Sequence, residues 1–192
     1  MTHPLSAFAP AVTPPRLPAS DVSYVVEDSP VGRLLLAVTA DGALVTSVYA
    51  ADARAEDVAL QKVADAVSPR VLRHPAALDE ARRQLAAYLD GRTRTMTHRL
   101  DLSLAGAFQR DVLTTLVAGV GYGQRTTYGD LAEAASHPGA SRAVGSALGR
   151  NPLCLFVPCH RVVPAGGGLG GYAGGPGAKA YLLDLEARAA TR

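Results

Sequence analysis

Apolar and polar positions alternate through residues 22–27 (Val-Ser-Tyr-Val-Val-Glu), 33–39 and 43–49, which predicts three strands. Asp28-Ser29-Pro30 is a turn, and Asp41-Gly42 is a two-residue hairpin signal. The result is an antiparallel meander, with Leu44, Thr46 and Val48 on one face of the third strand and Val45 and Ser47 on the other. Residues 54–67 have helical phase and stop before Pro69. Leu78 to Leu89 is an amphipathic helix with Leu78, Leu85, Tyr88 and Leu89 along one side and Gly91 as its cap. Residues 99–106 read as a connection whose leucines, Leu100, Leu102 and Leu104, cover core in passing.

Beyond that connection the period is helical. Phe108, Val112, Leu113 and Leu116 mark a helix over 108–117. Thr127 caps a second, to about Ser136, with Asp130 three residues on. His137-Pro138-Gly139 turns the chain into a third, Ala140 to Leu148. Leu155-Phe156-Val157 is too short to separate a buried strand from a turn. A glycine-dense stretch runs from Gly166 to Gly177, and Lys179 to Ala187 closes the chain as a helix.

The 192 residues suffice for one large domain or two small ones, and 48% apolar content can supply a core. Without Trp, that core is built from Leu, Val and Ala. Residues 1–105 carry a net charge of −1 and residues 106–192 a net of +3, so the second part is the better candidate for an anionic partner. Two cysteines, Cys154 and Cys159, make no disulfide framework and no four-ligand zinc site, so no metal is expected. Met1 to Ser20 holds five prolines and lacks the charged start and apolar core of a secretory signal. No stretch is long and apolar enough to span a bilayer. The expectation is a reduced, cytoplasmic, monomeric protein with a disordered Pro-rich tail over 1–20.

The candidate chemistry sits at Pro158-Cys159-His160-Arg161-Val162. Pro158 forces a change of direction, and a sharp turn can hold a nucleophile above the fold. A Cys thiolate beside a His that accepts its proton is a nucleophile and its base. Adjacent residues need not touch, so a small buried Cys beside a turn His stays open as the alternative. The helix pair before it has helix-turn-helix form. Ser141, Ala143, Gly145, Ser146 and Ala147 are small enough for close approach to a partner, with Arg142 as the long cation. A solvated helix explains the same residues. The glycine stretch lacks the Lys-Ser/Thr ending of a phosphate loop.

The segment resembles the active-site signature of the methylated-DNA–protein-cysteine S-methyltransferases, the O6-alkylguanine-DNA alkyltransferases. The resemblance extends through Tyr128-Gly129-Asp130-Leu131-Ala132, Ser141-Arg142-Ala143-Val144-Gly145, Asn151-Pro152, Gly170-Gly171-Tyr172-Ala173-Gly174-Gly175, Lys179, Leu182-Leu183 and Glu186, over about residues 108–186. It implies an α/β protein: an RNase H-like domain with an antiparallel sheet over 21–98, a linker over 99–107, and a mainly helical domain over 108–192 with a winged helix-turn-helix-like unit. It implies transfer of the alkyl group of O6-alkylguanine in duplex DNA to Cys159, once per molecule and without a cofactor, and leaves O4-alkylthymine open as a second substrate. His160 would take the thiol proton through water, Glu186 would orient His160, and Asn151 would brace the turn. Tyr128 would help flip the nucleotide, and Arg142 would fill the gap in the stack from the minor groove, with Ser141, Ala143 and Gly145 close to DNA. Tyr172, Ala173, Gly174, Val162 and Lys179 would form or flank the base pocket. Ala173 departs from the Ser found in many members, and Leu113 from a common Trp. A lesion binder with an inert Cys159, and a Cys–His hydrolase, are the competing readings.

Overall fold

The computed structural model describes residues 21–190; the Pro-rich tail over 1–20 lies outside them. Strands β1 (Val22–Glu27), β2 (Leu34–Thr39) and β3 (Leu44–Tyr49) form the expected antiparallel meander. Its hairpin differs from the two-residue form. Thr39 N–H donates to Ala43 O, and Gly42 takes φ +81°, so the loop is three residues long with glycine in the left-handed position. The register then slips at Ala37/Val38, as a bulge after such a turn allows.

A fourth strand, β4 (Val71–Arg73), pairs parallel to β1, giving the order β3-β2-β1-β4. The sheet is therefore mixed, which corrects the all-antiparallel expectation. Three residues are too short to show a period, and the parallel pairing depends on helix α1 (Ala53–Ala66) crossing over between β3 and β4. Asp52 caps α1 by accepting from Ala55 N–H at 2.8 Å.

The two faces of the sheet bury different partners. Val22, Ala37 and Val45 pack with Val63 of α1. Val25, Leu34, Leu36, Val38 and Leu44 face a larger cluster that holds Leu78, Leu85 and Leu89 around α2 (Asp79–Leu89). The same cluster continues through α3 (Ala107–Gly119), α4 (Tyr128–Ala134), α5 (Ser141–Gly149), the turn to Val162 and α6 (Gly175–Ala190). Sheet region and helical region thus share one continuous core. Leu100 and Leu102 pack against it and Leu104 against the smaller cluster, so all three cover core, as expected, but not the same one.

Thr127 Oγ1 accepts from Asp130 N–H at 3.1 Å and starts α4. β5 (Thr126–Thr127) makes a short parallel pair with β6 (Val162–Val163), which ties the start of α4 to the end of the cysteine turn. Leu155 to Val157 form no strand. They belong to a buried turn in which Leu155 takes φ +74°. Helix α6 begins at Gly175, four residues before the expected Lys179. Pro176 lies in its first turn, where no backbone donor is needed, so a glycine-proline stretch that reads as loop supports a helix start. Among the described residues no helix is long and apolar enough to cross a membrane.

Candidate active site

The site is built on a buried turn, with every residue from Asn151 to Val162 withdrawn from solvent. Asn151 follows α5 and organises it. Its Oδ1 accepts from Leu153 N–H at 3.0 Å, and its Nδ2 donates to Val157 O at 3.1 Å and to Cys159 Sγ at 3.2 Å. A single amide therefore closes the turn and holds the thiol. Leu155, a non-glycine residue with positive φ, is strained backbone four residues before Cys159. Strand β3 clamps the turn from outside. Ser47 N–H and Thr46 Oγ1 both donate to Pro152 O, at 2.7 and 3.0 Å, and Ser47 Oγ donates to Cys154 O at 2.9 Å.

Cys159 is 5% exposed and opens a short helical turn, Cys159–Arg161. It lines a cleft of about 390 Å³ together with Tyr128, Gly145, Leu148, Gly149, Gly171, Tyr172 and Ala173. A hydrogen bond from Cys154 lowers the Cys159 thiol; burial opposes this, and Asn151 and the charge of Lys179 add to the lowering. The Cys154 thiol is pushed the other way by the same contact and by burial. Of the two thiols, Cys159 is therefore the one that gives up its proton more readily.

His160 is fully buried behind Cys159. Its Nε2 lies 2.9 Å from Glu186 Oε1 and 3.2 Å from the Tyr88 hydroxyl. Tyr88 donates to the same Oε1 at 2.6 Å. Arg161 donates to both carboxylate oxygens, with Nη2 at 2.8 Å from Oε1, and Gly123 N–H donates to Oε2 at 3.0 Å. Arg161 Nη1 reaches Val120 O at 2.7 Å. Burial would raise the Glu186 carboxyl, but the bonds from His160, Arg161 and Tyr88 outweigh it and hold it at about 2. Burial lowers His160 and prevails over Glu186, so the imidazole is neutral at pH 7. His160 Nδ1 is buried and has no hydrogen-bond partner among the described residues. A neutral imidazole with its Nε2 proton committed to a carboxylate keeps its basic lone pair on that Nδ1.

The expected site residues fall into three groups. Cys159, Tyr128, Gly145, Tyr172 and Ala173 meet at the cleft. His160, Glu186, Asn151, Val162 and Lys179 lie behind it. Lys179, fully buried, donates to Val162 O at 2.7 Å and Gly171 O at 3.4 Å, and so fastens the glycine loop to β6 instead of lining the cleft. Gly174 packs against the Tyr49 ring. Ser141, Arg142 and Ala143 are exposed on α5, whereas Gly145 faces the Tyr128 ring. Gln109 Nε2 satisfies Ala147 O and Arg150 O at the other end of that helix, at 2.8 and 2.9 Å.

Four residues without an expected role are part of the arrangement: Tyr88, Arg161, Cys154 and Tyr49. The one legible signal is Tyr88, since a tyrosine in an aliphatic stripe needs a partner for its hydroxyl. Tyr49 Oη lies 3.3 Å from Tyr172 Oη with the rings edge to face, a contact 123 residues apart in sequence.

A lowered, hydrogen-bonded thiol on a cleft, a neutral buried histidine with a carboxylate partner, and a small-residue helix beside them define a class: mixed α/β proteins that present a cysteine thiol on a cleft. The family model for the DNA-binding domain of 6-O-methylguanine DNA methyltransferase matches residues 107–188. A methylated-DNA–protein-cysteine methyltransferase of Mycobacterium leprae is 41% identical over 162 residues, covering 83% of this chain and 88% of that protein. One from Methanosarcina acetivorans is 36% identical over 166 residues, covering 85% and 97%. The crystal structure of Mycobacterium tuberculosis OGT in complex with DNA superposes with a TM-score of 0.73 at 34% identity, over 87% of this chain and 94% of that one. The chain belongs to the methylated-DNA–protein-cysteine methyltransferase family.

Proposed function

We propose that this protein reverses alkylation damage in duplex DNA by moving the alkyl group of O6-alkylguanine onto its own Cys159, once per molecule. The observation that carries the reading is Cys159 on the cleft, held by Asn151 at 3.2 Å, with a buried neutral His160 next to it. Cys159 loses its proton to His160 Nδ1 through a water, and Glu186 and Asn151 keep base and turn in place. The sulfur attacks the alkyl carbon, so the S–C bond forms as the C–O6 bond breaks and the electron pair leaves with guanine. Tyr128, whose hydroxyl burial keeps protonated, supplies the proton or strong hydrogen bond that guanine takes up. A thioether is stable, so the acceptor is spent, and no cofactor is needed.

A stacked base cannot present its O6 substituent to a recessed thiol, so the nucleotide must be extruded. Exposed Arg142 fills the gap from the minor groove, and Ser141, Ala143 and Gly145 allow the helix to come close. Tyr172, Ala173 and Gly174 hold the base, with Val162 and Lys179 supporting the loop behind it. Ala173 lacks a hydroxyl, leaving backbone N–H groups of the glycine loop to face O6. In this reading residues 21–98 are an RNase H-like unit, 99–107 a linker, and 108–190 a winged helix-turn-helix unit. The protein acts as a cytoplasmic monomer. Binding through phosphates is sequence-independent and weakens with salt.

The test is intact and peptide mass spectrometry after mixing the protein with duplex carrying one O6-methylguanine. One methyl group on Cys159, saturating at equal stoichiometry, is expected. Cys159→Ser should lose transfer and keep duplex binding. Binding without a mass change would leave a lesion recogniser. A parallel duplex carrying O4-methylthymine decides the second substrate.

A further inference from the structure

Tyr88 belongs to α2, far in sequence from the cysteine turn, yet its hydroxyl lies 2.6 Å from Glu186 Oε1 and 3.2 Å from His160 Nε2. It is 1% exposed and does not line the cleft with Cys159. It therefore acts through other groups. We propose that Tyr88 is a positioning residue for the transfer: from the sheet region of the chain it holds Glu186 against His160 and sets how readily His160 gives and takes a proton. This rests on the reading that His160 relays the Cys159 proton.

The argument is a count of protons. Tyr88 has one, and burial together with the charge of Glu186 keeps it on the phenol. Glu186 is an acceptor only, and its Oε1 takes the phenol proton, the Arg161 protons and the Nε2 proton of His160. With both Tyr88 and His160 donating to one oxygen, Nε2 must be protonated and Nδ1 must be the base. Each further donor on Oε1 also shares its negative charge. Less of that charge is then left to stabilise an imidazolium, so His160 does not trap the proton it receives. The other groups acting on His160 are Lys179 of α6, Arg161 of its own turn, and Tyr172, whose ring lies 6.3 Å away at 82°. The Tyr88 ring itself is held edge-on by Tyr122 at 5.8 Å.

Tyr88→Phe keeps that ring and removes the donor. Its pseudo-first-order rate of methyl transfer from O6-methylguanine duplex to Cys159 should fall about tenfold at pH 7, the loss expected for a hydrogen bond to a charged group. The acid limb of its pH–rate profile should move to higher pH, because Glu186 then stabilises the imidazolium better. Duplex affinity should not change. Replacing Tyr88 with 3-fluorotyrosine, a stronger donor of the same fold, should move the acid limb to lower pH. Wild-type rate and acid limb in both variants, with only a lowered melting temperature in Tyr88→Phe, would make Tyr88 a packing residue and overturn the inference. A wild-type protein that takes up no methyl group at all would instead overturn the transfer reading on which it rests.

Discussion

Charge at single residues controls this site, and acid is the direct probe of it. Glu186 has a folded value of about 2 against an ordinary 4.5, so the unfolded chain binds its proton more tightly. The stability it contributes is present above pH 4.5 and is lost as pH falls toward 2. His160 is also depressed below its ordinary 6.5, so the folded state favours the neutral ring and loses stability as pH drops below 6.5. Melting temperature should therefore decline from about pH 6.5 downward, with a second decline below pH 4.5. The second decline should be smaller in Glu186→Gln. That variant should itself lose about 3 kcal/mol at pH 7, because Arg161 is left buried without its carboxylate. Cys154 offers a second probe. Its contact lowers the Cys159 thiol, so Cys154→Ala should raise the pH midpoint for alkylation of Cys159 by iodoacetamide and slow methyl transfer several-fold at neutral pH. Removing its sulfur should cost about 1 kcal/mol of stability.

At the scale of elements, the site depends on loops being pinned by strands and helices from elsewhere. Strand β3 supplies Thr46 and Ser47 to the cysteine turn and Tyr49 to the glycine loop. Gly174 is where that loop crosses the Tyr49 ring, and a Cβ placed there would fall inside the ring atoms. Gly174→Ala should force loop and ring apart, cost about 1–3 kcal/mol by overpacking, and slow transfer while leaving duplex binding intact. Tyr49→Ala makes room, so the double variant should recover part of that loss; a thermal-denaturation cycle of wild type, both single variants and the double measures the coupling. Strict additivity would show that the two do not meet. The helix pair needs less help. Thr127 caps α4 as its sequence position suggests, and the period of α4 and α5 points Leu131, Val144 and Leu148 inward, which leaves Ser141, Arg142 and Ala143 outside.

For the whole molecule, the continuous core argues against two independently stable halves. Leu36 of β2, Leu85 of α2, Leu116 of α3 and Leu182 of α6 lie in the same buried cluster. Unfolding should be a single transition, with far-ultraviolet circular dichroism and near-ultraviolet tyrosine signals coinciding across a urea titration. Two separated transitions would mean that the sheet region and the helical region hold themselves together separately. A single transition also means that a substitution in the sheet region, such as Ser47→Ala, lowers the stability of the cysteine turn as much as of β3.

The sequence by itself determined most of the elements and the turn that carries Cys159. Strand alternation, helical period, the Thr127 cap and the Pro158-Cys159-His160 turn are local, and their physics needs only neighbouring residues. The Cys–His–Asn–Glu set was legible as well, through resemblance across residues 108–186. Tertiary structure alone decided the rest. β4 is too short to carry a period and is a strand only because β1 lies beside it. Leu155 takes a left-handed conformation only because the closed turn compels it. Pro176 reads as a break until the first turn of α6 gives it a place. Tyr49 and Cys154 look like ordinary core residues along the chain, and Tyr88 signals only that its hydroxyl needs some partner. Their polar atoms gain meaning only when folding brings them against Glu186, Tyr172 and Cys159, because a hydrogen bond is a relation in space that spacing along the sequence does not encode.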